Sequence, residues 1–256
     1  MEHVTHHGRR IAYRVSEGDG EEPAILFVHG SGGTHTIWKA QARLRDTAPV
    51  VSLDLSGHGE SEDVDAEPGP ETLAAYADDV VAVAEETDAT VFCGNSLGGA
   101  VVLQAVISRG LSPAGVVLAG TGAKLTVLED LLRWLEDDFD RAVEWLHDPD
   151  RLFHDPDDRT LEASREAMRA AGQRVTHRDF ATSNEFDVRG DLDRVDVPAL
   201  AVVGEHDGLT PPWYHEALAE SIPDCDLAVI ESAAHLTMLE RPEAFNAAVE
   251  TFLDRL

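Results

Sequence analysis

Three residues of the kinds that carry out nucleophilic acyl transfer occur where a chain can bring them together. Ser96 lies in Gly94-Asn95-Ser96-Leu97-Gly98-Gly99, after an apolar run ending at Cys93 and before a helical pattern. A G-x-S-x-G spacing between strand and helix is a nucleophile elbow, and its glycines make room for a strained turn that lifts the hydroxyl above a sheet edge. A serine hydroxyl is a weak nucleophile and needs a base oriented by a third group. His235, in Ala233-Ala234-His235-Leu236, is the candidate base, and Asp207, in Gly204-Glu205-His206-Asp207-Gly208, the candidate acid. They follow Ser96 in the order serine, acid, histidine that accompanies such an elbow. Asp207 also reads as a plain turn residue before Gly208. Charge developing on an attacked carbonyl needs aimed N–H donors. The backbone N–H of Leu97 is one candidate. The N–H of Ser31, in His29-Gly30-Ser31-Gly32-Gly33, is the other, with Gly32 close behind. That glycine run lacks the dinucleotide fingerprint and the G-K-[ST] ending of a phosphate loop.

The chain has 12 histidines, so coincidence has to be weighed. His29 and His58 fall at strand ends and read as loop-stabilising, since neither has the acid partner that a catalytic pair needs. His3, His6 and His7 read as a polar N-terminal arm rather than a metal site. Glu205 and His206 are expected to point away from His235. No cofactor and no metal are expected.

These groups need a scaffold. Short apolar runs predict strands at Ile11–Val15, Ala24–Val28, Val50–Leu53, Thr90–Cys93, Gly115–Leu118, Ala199–Val203 and Leu227–Ile230. Several are continuous, as parallel strands covered on both faces are. Helical patterns cover Thr36–Leu44, Glu71–Glu86, Leu97–Arg109, Trp213–Ser221 and Pro242–Leu256. The alternation predicts a doubly wound α/β sheet. Ser96, Asp207 and His235 then sit beyond the carboxyl ends of strands, where open sheets bind ligands. The stretch from Thr121 to Arg189 breaks the pattern with four helical segments and six Trp and Phe residues. It reads as a helical cap over residues 121–189, set into a core of residues 1–120 and 190–256. Arg165 and Arg169 share a face of one cap helix. They could meet an anionic substrate, but a solvated face opposite acidic residues fits them better.

The 256 residues carry 20 Lys and Arg against 49 Asp and Glu, a net charge of −29. This balance argues against a nucleic-acid binder and against docking on anionic lipid. Only Lys39 and Lys124 are lysines. An acidic surface almost free of lysine resembles proteins of salt-in halophiles, where molar salt screens self-repulsion. Cys93 and Cys225 do not make a disulfide framework. With no apolar leader and no run of membrane-spanning length, the protein is expected to be soluble and cytoplasmic.

The motifs together resemble the α/β-hydrolase superfamily. The resemblance runs from His29-Gly30 through Asp54-Leu55-Ser56-Gly57-His58-Gly59-Glu60-Ser61, the elbow, Pro198 and Gly204-x-x-Asp207 to His235. It implies the α/β-hydrolase fold, a mostly parallel doubly wound sheet with a helical cap inserted after the sixth strand. It implies a structural role for the Asp54–Ser61 segment. The family's alternative place for the acid, after the sixth strand, reads Gly120-Thr121-Gly122-Ala123 and offers no carboxylate, which favours Asp207. Related dehalogenases and epoxide hydrolases carry Asp where this chain has Ser96. The expected function is hydrolysis of a small ester, lactone or thioester through an acyl-enzyme, with a small-molecule acyl substrate, no nucleic-acid or membrane partner, and the oligomeric state left open. Asn95 also resembles carbon–carbon bond hydrolases of ring-cleavage products, but Leu236 stands where those typically have Trp. A hydrolase-fold binding protein without turnover, or acyl transfer to an acceptor other than water, are the remaining readings.

Overall fold

The structure is a computed structural model that describes residues 1–18, 20 and 23–256. The described strands are β1 (Glu2–His6), β2 (Arg9–Ser16), β3 (Ile25–Val28), β4 (Val50–Leu53), β5 (Val91–Asn95), β6 (Gly115–Ala119), β7 (Ala199–Gly204) and β8 (Cys225–Ile230). They form one sheet in the order β1-β2-β4-β3-β5-β6-β7-β8. β1 and β2 pair antiparallel, as do β2 and β4; every pairing from β4 to β8 is parallel. Strands β3 to β7 are buried along their whole length, as their continuous apolar runs require.

Alternate residues face opposite layers. Leu26 and Val28 of β3 pack with helices α1 (Pro70–Thr87) and α2 (Leu97–Arg109); Ile25 and Phe27 pack with Trp38 and α9 (Pro242–Leu253). In α9 the buried Phe245, Val249 and Phe252 recur every three to four residues, the stripe of a helix lying on a sheet. From β3 the chain steps to β4 on one side and then returns to β5 on the other. The loops leaving β3 and β5 therefore diverge, and a crevice opens at their carboxyl ends. That crevice receives the His29–Gly33 loop and Ser96.

Between β6 and β7 come α3 (Glu129–Asp137), α4 (Phe139–Leu146), α5 (Asp158–Ala171) and α6 (Gln173–Glu185). Their ends lie close in space, since Lys124 and Asp187 form an antiparallel bridge. Helices α7 (Pro212–Ser221) and α8 (Thr237–Glu240) complete the elements used below.

Two local expectations are corrected. The N-terminal arm is strand β1, folded on β2 through His7-Gly8, both at positive φ. That is the turn whose twist suits a two-residue hairpin. The helix expected at Thr36–Leu44 is instead two 3₁₀ turns, His35–Trp38 and Gln41–Asp46.

Candidate active site

β5 runs on to Asn95, and Ser96 follows at φ 55°, ψ −120° as the residue before α2. A side chain rarely adopts positive φ, and holding one there costs on the order of 1–3 kcal/mol. The surroundings supply that restraint. The Ser96 N–H donates to the Ala119 carbonyl at 2.9 Å, and the Ser96 carbonyl accepts from Thr121 Oγ1 at 2.9 Å. The glycines are steric requirements: a Cβ on Gly94 would lie 2.3 Å from the Gly98 carbonyl oxygen, and one on Gly98 2.3 Å from that of Val28. The Leu97 N–H opens α2 and has no acceptor among the described residues.

Asp207 and His235 come together across the same edge. His235 Nδ1 lies 2.9 Å from Asp207 Oδ2, and both residues are buried. The carboxylate also accepts the N–H groups of Leu209 and Thr210 and the Thr210 hydroxyl, at 2.8–2.9 Å. Burial alone raises the Asp207 pKa, but the facing His235 and these donors outweigh it and hold it below the usual carboxylate value. An ionised carboxylate only accepts, so Nδ1 of His235 carries a proton and Nε2 of the neutral ring is free to take one. Ser96 and His235 line one cavity without a hydrogen bond between their side chains. In hydrolases such bonds often tighten only with substrate present.

The His29–Gly33 loop borders Ser96: a Cβ on Gly30 would lie 3.0 Å from Ser96 Cβ. The Ser31 N–H has no acceptor among the described residues. The Gly32 N–H is not available, because it donates to Asp179 Oδ2 at 2.9 Å. Of the two loop amides considered, Ser31 alone stays open. His29 donates from Nδ1 to the Gly30 carbonyl and accepts the Leu55 N–H at Nε2; burial, reinforced by His58, brings its pKa down to about 4.

His58 corrects an expectation. It does have an acid partner, since Nε2 lies 2.8 Å from Asp179 Oδ2 and both side chains are fully buried. Asp179, on α6, gave no signal in the sequence because it lies 121 positions from His58. Tyr76 donates to its other oxygen at 2.8 Å. Arg165 and Arg169 pair with Glu144, and neither lines the cavity. Asn95 Nδ2 bonds the Ala119 carbonyl and approaches that of His235, tying down backbone.

The cavity above Ser96 has a volume of about 240 Å³. Leu125, Val127, Trp145, Met168 and Phe180 from the four-helix segment form much of its wall. That segment also braces the site. The Asp150, Arg151 and Leu152 carbonyls accept the N–H groups of Gly208, His235 and Leu236. Among the described residues, the one trio with metal-ligand side chains is Asp150, His154 and His206. The two imidazoles stack 3.7 Å apart at 8°. Their lone pairs thus lie in near-parallel planes instead of converging on one ion.

Comparison with known proteins agrees with this architecture. A pimeloyl-(acyl-carrier protein) methyl ester esterase of Neisseria meningitidis is 29% identical, over 96% of this chain and 98% of its own. A 3-oxoadipate enol-lactonase of Acinetobacter baylyi is 28% identical, over 93% and 91%. Among solved structures, a thermophilic esterase superposes with a TM-score of 0.85 at 30% identity, over 99% of this chain and 97% of its own. Residues 25–248 match the alpha/beta hydrolase family, a range that takes in β3 to β8 and both crevice-forming loops and leaves out the antiparallel β1 and β2. The chain belongs to the alpha/beta hydrolase family.

Proposed function

We propose that the protein is a serine hydrolase of small carboxylic esters or lactones. The observation that carries this reading is Ser96, held at positive φ beside the N–H groups of Leu97 and Ser31, which have no acceptor among the described residues, in one cavity with the His235–Asp207 pair. His235 Nε2 takes the hydroxyl proton as Ser96 Oγ attacks the ester carbonyl. The N–H groups of Leu97 and Ser31 hold the oxyanion; loss of one such donor typically lowers the rate ~10²–10³-fold. Asp207 keeps the ring in the required tautomer and stabilises the imidazolium. The intermediate collapses, and the imidazolium gives its proton to the departing alkoxide. Water then attacks the acyl-enzyme with His235 as base, releasing the acid and restoring Ser96.

The four helices of residues 121–189 act as a cap whose apolar wall receives the acyl group. The relatives named for ester and enol-lactone hydrolysis support the reaction class. Carbon–carbon cleavage is less well supported, since Asn95 is occupied with backbone carbonyls. The test is hydrolysis of p-nitrophenyl esters from acetate to laurate, with simple lactones beside them. Turnover concentrated in the shorter acyl chains is expected. Turnover of no ester and no lactone would overturn the proposal.

A further inference from the structure

We propose that Asp179 is a positioning residue for the oxyanion site: from helix α6 it clamps the Gly32 amide and so keeps the neighbouring Ser31 N–H aimed at the reacting carbonyl. The proposal rests on the serine mechanism above and gives the cap a part in catalysis besides walling the cavity.

Gly30 to Gly33 form a turn closed by the Gly33 N–H on the Gly30 carbonyl at 3.0 Å. Ser31 has negative φ and Gly32 has φ +64°, the pattern of a type II turn. A glycine-rich turn of this kind is soft, since glycine populates many conformations. A donor carried on it needs an outside restraint. Asp179 Oδ2 supplies one by accepting the Gly32 N–H at 2.9 Å.

The clamp is itself anchored. Asp179 is fully buried, so its charge requires partners, and it has them in His58 and Tyr76. His58 Nδ1 faces the Ser56 carbonyl at 3.2 Å and Nε2 faces the carboxylate. Both partners only accept, so both nitrogens donate and the ring is an imidazolium. The adjoining Arg178 bonds the Tyr76 hydroxyl and the Ser56 and Val64 carbonyls. Helix α6 packs on α1 and α2, the latter being the helix that starts at Leu97. Both oxyanion donors are thereby referred to one rigid body. Buried ion pairs have registry between elements as their best-attested use.

The test compares Asp179→Ala and Asp179→Asn with the unaltered protein on one p-nitrophenyl ester. Turnover is counted per serine titrated by an activated phosphonate, so misfolded protein does not enter. The asparagine carbonyl can still accept from Gly32. Misplacing a catalytic group by about 1 Å costs on the order of 10²-fold in rate. Asp179→Ala is therefore expected to lose ~10–10² in kcat with KM within about threefold, and Asp179→Asn to recover most of that loss. A kcat per titrated site close to that of the unaltered protein, or a loss confined to KM, would overturn the clamp. If Asp179→Ala yields no titratable protein, Asp179→Gln takes its place. Its longer amide displaces the acceptor from Gly32, so a kcat matching Asp179→Asn would contradict the proposal. Failure of the serine mechanism is separable: it shows as turnover that survives Ser96→Ala.

Discussion

His58 and His29 lie side by side, 4.7 Å between ring centres and tilted by 59°, yet carry opposite protonation because their partners differ. His29 is buried between a carbonyl and an N–H and is held neutral; burial favours the same for His58, but Asp179 outweighs it and raises its pKa. A group whose folded pKa lies above the unfolded value of ~6.5 stabilises fully below that value and less as pH rises through the folded pKa. His29 and His215, both brought to about 4 mainly by burial, act the other way and favour unfolding as pH falls below about 6.5. Urea midpoints of the unaltered protein and His58→Gln are therefore expected to converge as pH rises from about 6 to about 9. A constant gap would mean that His58 does not titrate in this way. The sequence marked Ser96, Asp207 and His235 because each follows its own strand and short motif. It did not mark Asp179, a helical aspartate with no local motif whose partners come from three distant segments.

Elements were legible where burial on two faces wrote continuous apolar runs, as in β3 and β5 to β7. They were not legible where the pattern was polar or short. β1 is mostly exposed Glu-His-Val-Thr-His, held by its turn and its pairing with β2. The 3₁₀ turns at residues 35–46 carry a helix-like pattern whose tight backbone is set by contacts such as the His35 N–H on Asp54. In Gly98→Ala the added Cβ meets the Val28 carbonyl, forcing α2 away from β3. A loss of about 1–3 kcal/mol in stability is expected, together with reduced turnover. Gly190→Ala, whose Cβ would meet nothing within 4 Å, serves as the control. Equal denaturation midpoints for the two variants would contradict this account of the elbow.

At the scale of the whole molecule, the net charge of −29 acts on everything described above. Self-repulsion on such a surface opposes compaction, and at 1 M salt the screening length falls to ~3 Å. Reading the charge as a salt adaptation predicts that melting temperature and esterase turnover both rise from dilute buffer to molar KCl. Equal stability and activity in salt-free buffer would contradict it. Strand alternation predicted the fold class, but strand order came only from the structure, since pairing between distant runs leaves no mark in either run. No helix of the described residues is long and apolar enough to cross a membrane.

If Ser96 carries the acyl group, removing its hydroxyl abolishes turnover while leaving the fold in place. Steady-state hydrolysis of a p-nitrophenyl ester by Ser96→Ala should be compared with the unaltered protein, both confirmed as folded by their melting curves. A fall in kcat of about 10⁴–10⁶-fold with the fold retained is expected. Near-unaltered turnover in the folded variant would contradict it.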